Sequence, residues 1–189
     1  MGLTFIKSAT ASGSPAVISF VDGTSDVVFD NTYNEYQFHF VNIHAGTDSD
    51  AFGFQVNSTN DAGGGYDTSP ITSTFFKAEH NEAGAGGALT YTTSGDQAQG
   101  TAYQRLTYDM EIATDEAFSG VLTLYDPSST TYVKHFTATG NYVHHSGKYS
   151  QNIFVAGYIN DYQYAIDEIN FKMESGNIDA GTIYMYGVS

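Results

Sequence analysis

The 189-residue chain has no cysteine, no tryptophan, three prolines and only six lysines and arginines. Without cysteine there is no disulfide framework and no thiolate chemistry. The six cations stand against 21 aspartates and glutamates, for a formal charge of −15. A surface of that sign repels phosphate backbones, which argues against a nucleic-acid partner. It disfavours an anionic membrane for the same reason. No run approaches the roughly 18 apolar residues of a membrane-spanning helix. Residues 1–6 lack the basic start and long apolar stretch of a secretory signal, so the expectation is either a mature form or a route other than signal-directed secretion, such as inside a virus particle. The missing tryptophan removes the largest platform for stacking a sugar ring.

What the chain has is tyrosine, phenylalanine and glycine: 15, 13 and 20 residues. Together with threonine and valine they suit short strands joined by tight turns. Residues 105–112 give the sharpest alternation. Leu106, Tyr108, Met110 and Ile112 interleave with Arg105, Thr107, Asp109 and Glu111, which predicts a half-buried strand. Ile169, Phe171 and Met173 alternate with Asn170, Lys172 and Glu174, and Phe52, Phe54 and Val56 with Gly53, Gln55 and Asn57. Thr182, Tyr184 and Tyr186 interleave with Ile183 and Met185, a strand covered on both faces. Further strands are predicted at 3–7, 16–21, 26–29, 35–42, 69–78, 89–93, 120–125, 131–139 and 153–158, with one short helical turn within 96–104. Turn clusters separate them, among them Asp22-Gly23, Asp126-Pro127-Ser128 and Ser175-Gly176-Asn177. The spacing predicts an all-β fold: one antiparallel two-sheet β-sandwich, jelly-roll or lectin-like. Residues 26–189 form its body, and residues 1–25 read as an N-terminal arm or as its first strands.

Side chains that could carry chemistry are few. Asp109 and Glu111 lie two apart on the predicted strand, the spacing from which some sandwich-fold glycosidases present paired carboxylates. A solvated polar face explains them as well. Asp22, Asp26, Asp30, Asp48 and Asp50 sit in turns and are the calcium candidates, although their spacing matches no calcium-loop motif. Six histidines are scattered; His144 and His145 are adjacent and would face opposite sides of a strand, so no converging metal set is expected. No nucleophile elbow, phosphate loop, dinucleotide fingerprint or paired-histidine zinc motif occurs. The expectation is no catalytic residue, no cofactor and no enzyme. Tyrosines near Asn and Gly are the candidate binding surface: Tyr66, Tyr149, Tyr158, Tyr162 and Tyr164. The Gly-rich stretches 57–67 and 79–88 read as surface loops.

Several segments carry a resemblance: "YNEYQFHFVNIHAGTDSDAFGFQVN" (33–57), "DQAQGTAYQ" (96–104), "LTLYDPSSTTYVKHF" (122–136), "NIFVAGYIN" (152–160) and "AIDEINFKMESGNIDAGTIYMYGV" (165–188). They are similar to a family of virion structural proteins of marine tailed phages, and the likeness spans most of residues 25–188. It implies a capsid decoration or cement protein that binds the outside of the major capsid lattice. The implied partners are the major capsid protein or another virion protein and further copies of the chain, a trimer among the forms expected. The implied location is the virion, assembled in the host cytoplasm and then extracellular, where salt would screen the charge. The alternative is a receptor-binding or tail-fibre-associated carbohydrate-binding module that takes a host glycan. A glycoside hydrolase using Asp109 and Glu111 is the remote third reading.

Overall fold

A computed structural model describes residues 2–60, 69–144 and 148–189. Among these residues the chain forms twelve strands and no helix. The strands are β1 (Leu3–Thr10), β2 (Val17–Val21), β3 (Glu35–Ala45), β4 (Phe52–Ser58), β5 (Ile71–Asn81), β6 (Ala88–Tyr91), β7 (Gln104–Arg105), β8 (Phe118–Tyr125), β9 (Lys134–His144), β10 (Tyr149–Ile159), β11 (Ile166–Met173) and β12 (Ile178–Val188). Every pairing is antiparallel. The large sheet runs β1-β12-β3-β8-β9-β10-β5-β6 and the small one β2-β11-β4-β7.

The strand orders contain a jelly roll. In the large sheet β1-β12-β3-β8 stand side by side; in the small sheet β2-β11-β4-β7 follow the same order. Each strand of one set is the chain neighbour of its counterpart in the other, which is two ribbons wound together. The remaining strands, β9, β10, β5 and β6, prolong the large sheet beyond β8. Residues 2–25 supply β1 and β2, which pair with β12 and β11.

The core between the sheets is aromatic because alternation sends every second side chain inward. Phe171 lies against Phe20, Phe38, Phe40, Phe52 and Phe54, with ring centroids 5.2–6.5 Å apart. The small sheet reaches as far as β9, where Phe54 meets Phe136 at 5.1 Å. Alternation in β3 is interrupted once. Asn42 takes a left-handed φ of 52°, and the register shifts between Phe40 and Ile43. The extra residue returns Ile43 to the core, where it is fully buried.

The inner face of the prolongation has a different cover. The chain from residue 92 runs along β5 and then crosses beneath it. Ser73 donates from its backbone to the Gln97 carbonyl, 2.9 Å, and from its hydroxyl to Gln104 Oε1, 2.6 Å. Gln104 is fully buried and donates to the carbonyls of Gly95 and Arg105, 2.9 and 3.0 Å. Tyr142 Oη accepts the Tyr108 amide at 2.9 Å and donates to Gln151 Oε1 at 2.6 Å. Gln151 in turn donates to Glu79, 2.7 Å, which is paired with Lys77 at 3.0 Å.

Four expectations need correction. Residues 105–112 are not a strand. The ladder ends at Arg105, because the amides of Leu106 and Thr107 both donate to the Phe52 carbonyl. Asp109 then turns the chain at a left-handed φ of 49°, and Ile112 is exposed. Residues 26–29 are irregular chain that buries Val27 and Phe29, with the Phe29 amide held by the Asp22 carboxylate at 2.8 Å. Residues 131–133 precede their strand, because the Ser129 hydroxyl accepts the amides of Thr131 and Tyr132. Residues 96–104 hold no helical turn; Gly100 bridges to Ile71 instead.

Candidate functional site

The outer face of the large sheet has no second layer among the described residues, and two features stand on it. At the end of β8 and β9 is a groove of about 600 Å3 lined by Tyr125, Asp126, Thr131, Tyr132, Val133, His135 and Tyr162. Tyr132 is 71% exposed, Tyr162 45% and Tyr125 37%. Tyr158 flanks the groove, edge-on to His135 at 6.3 Å. The tyrosines are exposed because strand ends and turns hold them there. The Leu124–Phe136 register sets Tyr125 beside His135.

The turn that carries Tyr162 is anchored from below. Lys134 is fully buried. Its ammonium donates to the Asp161 carbonyl, 2.5 Å, and to the Tyr164 carbonyl. Burial pushes that ammonium down from the usual lysine range, while the Asp161 and Asp126 carboxylates pull it back up. The Asp161 carboxylate accepts the hydroxyls of Ser58 and Ser69 at 2.6 and 3.1 Å. Tyr162 Oη accepts Gln163 Nε2 at 2.9 Å.

The second feature lies further along the same face. Phe76 and Phe154 stack in parallel, 5.0 Å apart and 10° from coplanar. Tyr91 stands opposite Phe76 and Leu89 opposite Ala78, so all share this face. The stacked rings are each nearly two-fifths exposed, Tyr91 is half exposed and Leu89 nearly three-quarters. Small side chains, Thr137, Thr139 and Ala156, complete a shallow apolar surface.

The predicted binding tyrosines therefore separate. Tyr158 and Tyr162 come together at the groove. Tyr164 lies behind it, tied to Lys134 through its carbonyl. Tyr149 is at the opposite end of β10, packed near Gly86 and edge-on to His144 at 6.3 Å. Tyr66 falls outside the described residues, as does most of the 57–67 loop. The 79–88 loop is the hairpin between β5 and β6, with the Asn81 side chain holding the Ala85 amide. Tyr125, Tyr132 and His135 were not singled out from the sequence. Their signal was the turn Asp126-Pro127-Ser128, which folds β8 back on β9 and gathers the flanking aromatics.

The calcium candidates do not converge. Asp50 is buried and its carboxylate accepts the amides of Ala51, Ser175 and Gly176 at 2.8, 3.1 and 2.7 Å; it anchors a turn. Asp22 and Asp30 hold the amides of Phe29 and Thr32. The contacts with the Thr32 side chain and amide keep the Asp30 carboxyl below its ordinary range. Asp26 is an exposed turn residue with φ of 72°, and Asp48 is exposed. Among the described residues, no three His, Asp or Glu side chains gather as a metal site.

Asp109 pairs with His144 at 3.5 Å and does not share a strand face with Glu111. Burial first, then the Lys77 charge, lowers the His144 imidazole, against the pull of Asp109. Burial likewise lowers His39. His44 approaches the Ala113 carbonyl at 3.1 Å and Asp179 at 3.5 Å. His80 is exposed, and His145 lies outside the described residues. Glu116 is buried beside Glu111, with the Lys148 ammonium 3.9 Å from its carboxylate. Burial pushes its carboxyl up, Glu111 beside it adds to the rise, and Lys148 opposes it.

The topology defines the class as a jelly-roll β-sandwich with a widened sheet. Comparison of the chain with protein-family models, curated proteins and solved structures finds no match.

Proposed function

We propose that the chain is a structural protein of a tailed-phage particle, a decoration protein that docks on the outside of the major capsid lattice. The observation that carries the reading is the outer face, which has no second layer among the described residues, with its Phe76–Phe154 stack flanked by Tyr91 and Leu89. An apolar surface without a second layer is the ordinary mark of a protein contact. The sequence resemblance over most of residues 25–188 supports the virion assignment, and the charge of −15 suits a particle exposed to salt water. On this reading the chain needs neither catalyst nor cofactor, and copies arranged on a symmetric lattice reinforce it.

The test is cosedimentation with purified capsid shells. The wild-type chain is expected to pellet with them, and Phe76→Glu with Phe154→Glu to remain in the supernatant while melting near the wild-type temperature. A chain that stays monomeric and never pellets with shells overturns the reading. The tyrosine groove favours a second reading, a glycan-binding module of the particle: exposed tyrosines beside an aspartate and a histidine suit an uncharged sugar. Glycan-array signal lost on Tyr132→Ala or Tyr162→Ala supports it, and an array without hits counts against it.

A further inference from the structure

On the outer face of the small sheet lies a pocket unlike the rest of this acidic surface. It encloses about 260 Å3 and is lined by Ala51, Gly53, Tyr103, Arg105, Lys172 and Glu174 among others. The pairing register places Lys172 opposite Gly53 and Gly53 opposite Arg105. Two of the chain's six cations therefore flank a position that carries no side chain. Glycine is required there: a Cβ at residue 53 would sit 2.7 Å from the Gln104 carbonyl oxygen. The close approach of β7 thus leaves a gap between two positive charges.

The polar groups around the gap are held in place. Lys172 Nζ sits 4.4 Å from the Tyr103 ring centroid. Arg105 lies over the Tyr108 ring at 4.8 Å, and its Nη2 donates to both oxygens of Glu174 at 2.6 Å. These contacts fix the side chains before any ligand arrives, which lowers the ordering cost of binding.

We infer that this pocket binds a carboxylate-bearing sugar, one hexuronic acid residue of an acidic polysaccharide. Each part of the ligand answers a part of the site. Its volume lies below the roughly 300–1,000 Å3 of sites that enclose drug-sized molecules, so it takes one ring. Lys172 offers a point charge for one carboxylate. Ala51, Ala102 and Met173 supply an apolar wall for a ring face. The Arg105–Glu174 pair presents donors beside acceptors, the complement of neighbouring hydroxyls that both donate and accept. Glu174 also repels a second negative charge. That disfavours phosphate and sulfate, and it disfavours an acidic peptide, which has no hydroxyls to offer the carboxylate.

The experiment is calorimetric titration of the full chain with a galacturonate trimer, a neutral cello-oligosaccharide and a short oligoglutamate. The uronate trimer is expected to bind and to weaken as salt is raised. Lys172→Met should lower its affinity at least tenfold, and Glu174→Gln should weaken it while leaving the melting temperature within a few degrees. Tyr162→Ala, in the distant tyrosine groove, should leave it unchanged. No uronate binding at millimolar concentration overturns the inference. Equal binding of the neutral sugar with no effect of Lys172→Met, or equal binding of oligoglutamate, overturns it as well. Capsid cosedimentation is a separate measurement, so either proposal can fail alone.

Discussion

The two halves of the large sheet are covered by different physics. Over β1, β12, β3 and β8 the cover is a second sheet, and the contact is ring on ring around Phe171. Over β10 and β5 the cover is irregular chain, latched by buried amides and hydroxyls: Ser73 to Gln104, Tyr142 to Gln151. A sheet brings its own satisfied backbone and can be dry. An irregular segment brings unpaired carbonyls and amides, so it must be met by polar side chains. The aromatic half gains stability from area and tolerates small shifts. The latched half depends on individual hydrogen bonds, each expensive to leave half made.

The largest break in the comparison is expected from Phe171→Ala. It empties the centre of the aromatic half and should cost about 3–5 kcal/mol, read from urea denaturation. Lys134→Met comes next. It leaves the Asp161 and Tyr164 carbonyls without their donor, for a loss of roughly 1–3 kcal/mol. It should also loosen the Tyr162 turn, visible as faster amide exchange at residues 160–164.

Tyr142→Phe removes one hydroxyl that serves two partners. A cost of about 1–2 kcal/mol is expected, with amide exchange rising in residues 104–110 and not in β3 or β11. Equal rises in both halves would erase the distinction.

The smallest effect is a gain. Burial and the neighbouring Glu111 raise the Glu116 carboxyl above its ordinary value of 4.5, so the folded chain keeps this proton to higher pH than the unfolded one. The stability from this site is complete below the ordinary value and is lost as pH rises through the folded value. Glu116→Gln should therefore raise the melting temperature at pH 7 and flatten the stability profile above pH 4.5, measured by thermal melts across pH.

The jelly-roll half was the legible half. Alternation at 35–42, 52–57 and 169–173 marks strands whose inward residues are the core. The failure at 105–112 shows the limit. Leu106 and Met110 do face inward, but so does Thr107, while Ile112 is exposed, so alternation reported burial only in part. A strand also needs a backbone partner, and two amides crowd onto the one Phe52 carbonyl. Alternation cannot announce that. The site was half legible: Tyr158 and Tyr162 stood out by their polar neighbours, whereas Tyr125 and Tyr132 join them only once the register of β8 on β9 is known. The Lys172–Gly53–Arg105 row comes from three separate strands, and no local pattern in the chain links them.

The added strands also carry an order of dependence. Strand β9 is bonded to β8 of the jelly roll and to β10. Among the described strands, β5 pairs with β10 and β6, and neither belongs to the jelly roll. The β5–β6 hairpin comes earlier in the chain, yet it has nowhere to attach until β10 exists. A chain cut back to the β9–β10 hairpin would keep a continuous sheet, whereas one keeping β5–β6 without β10 would leave a hairpin adrift. The earlier piece of sequence thus leans on the later one, and trimming experiments on this fold should start from β5 and β6.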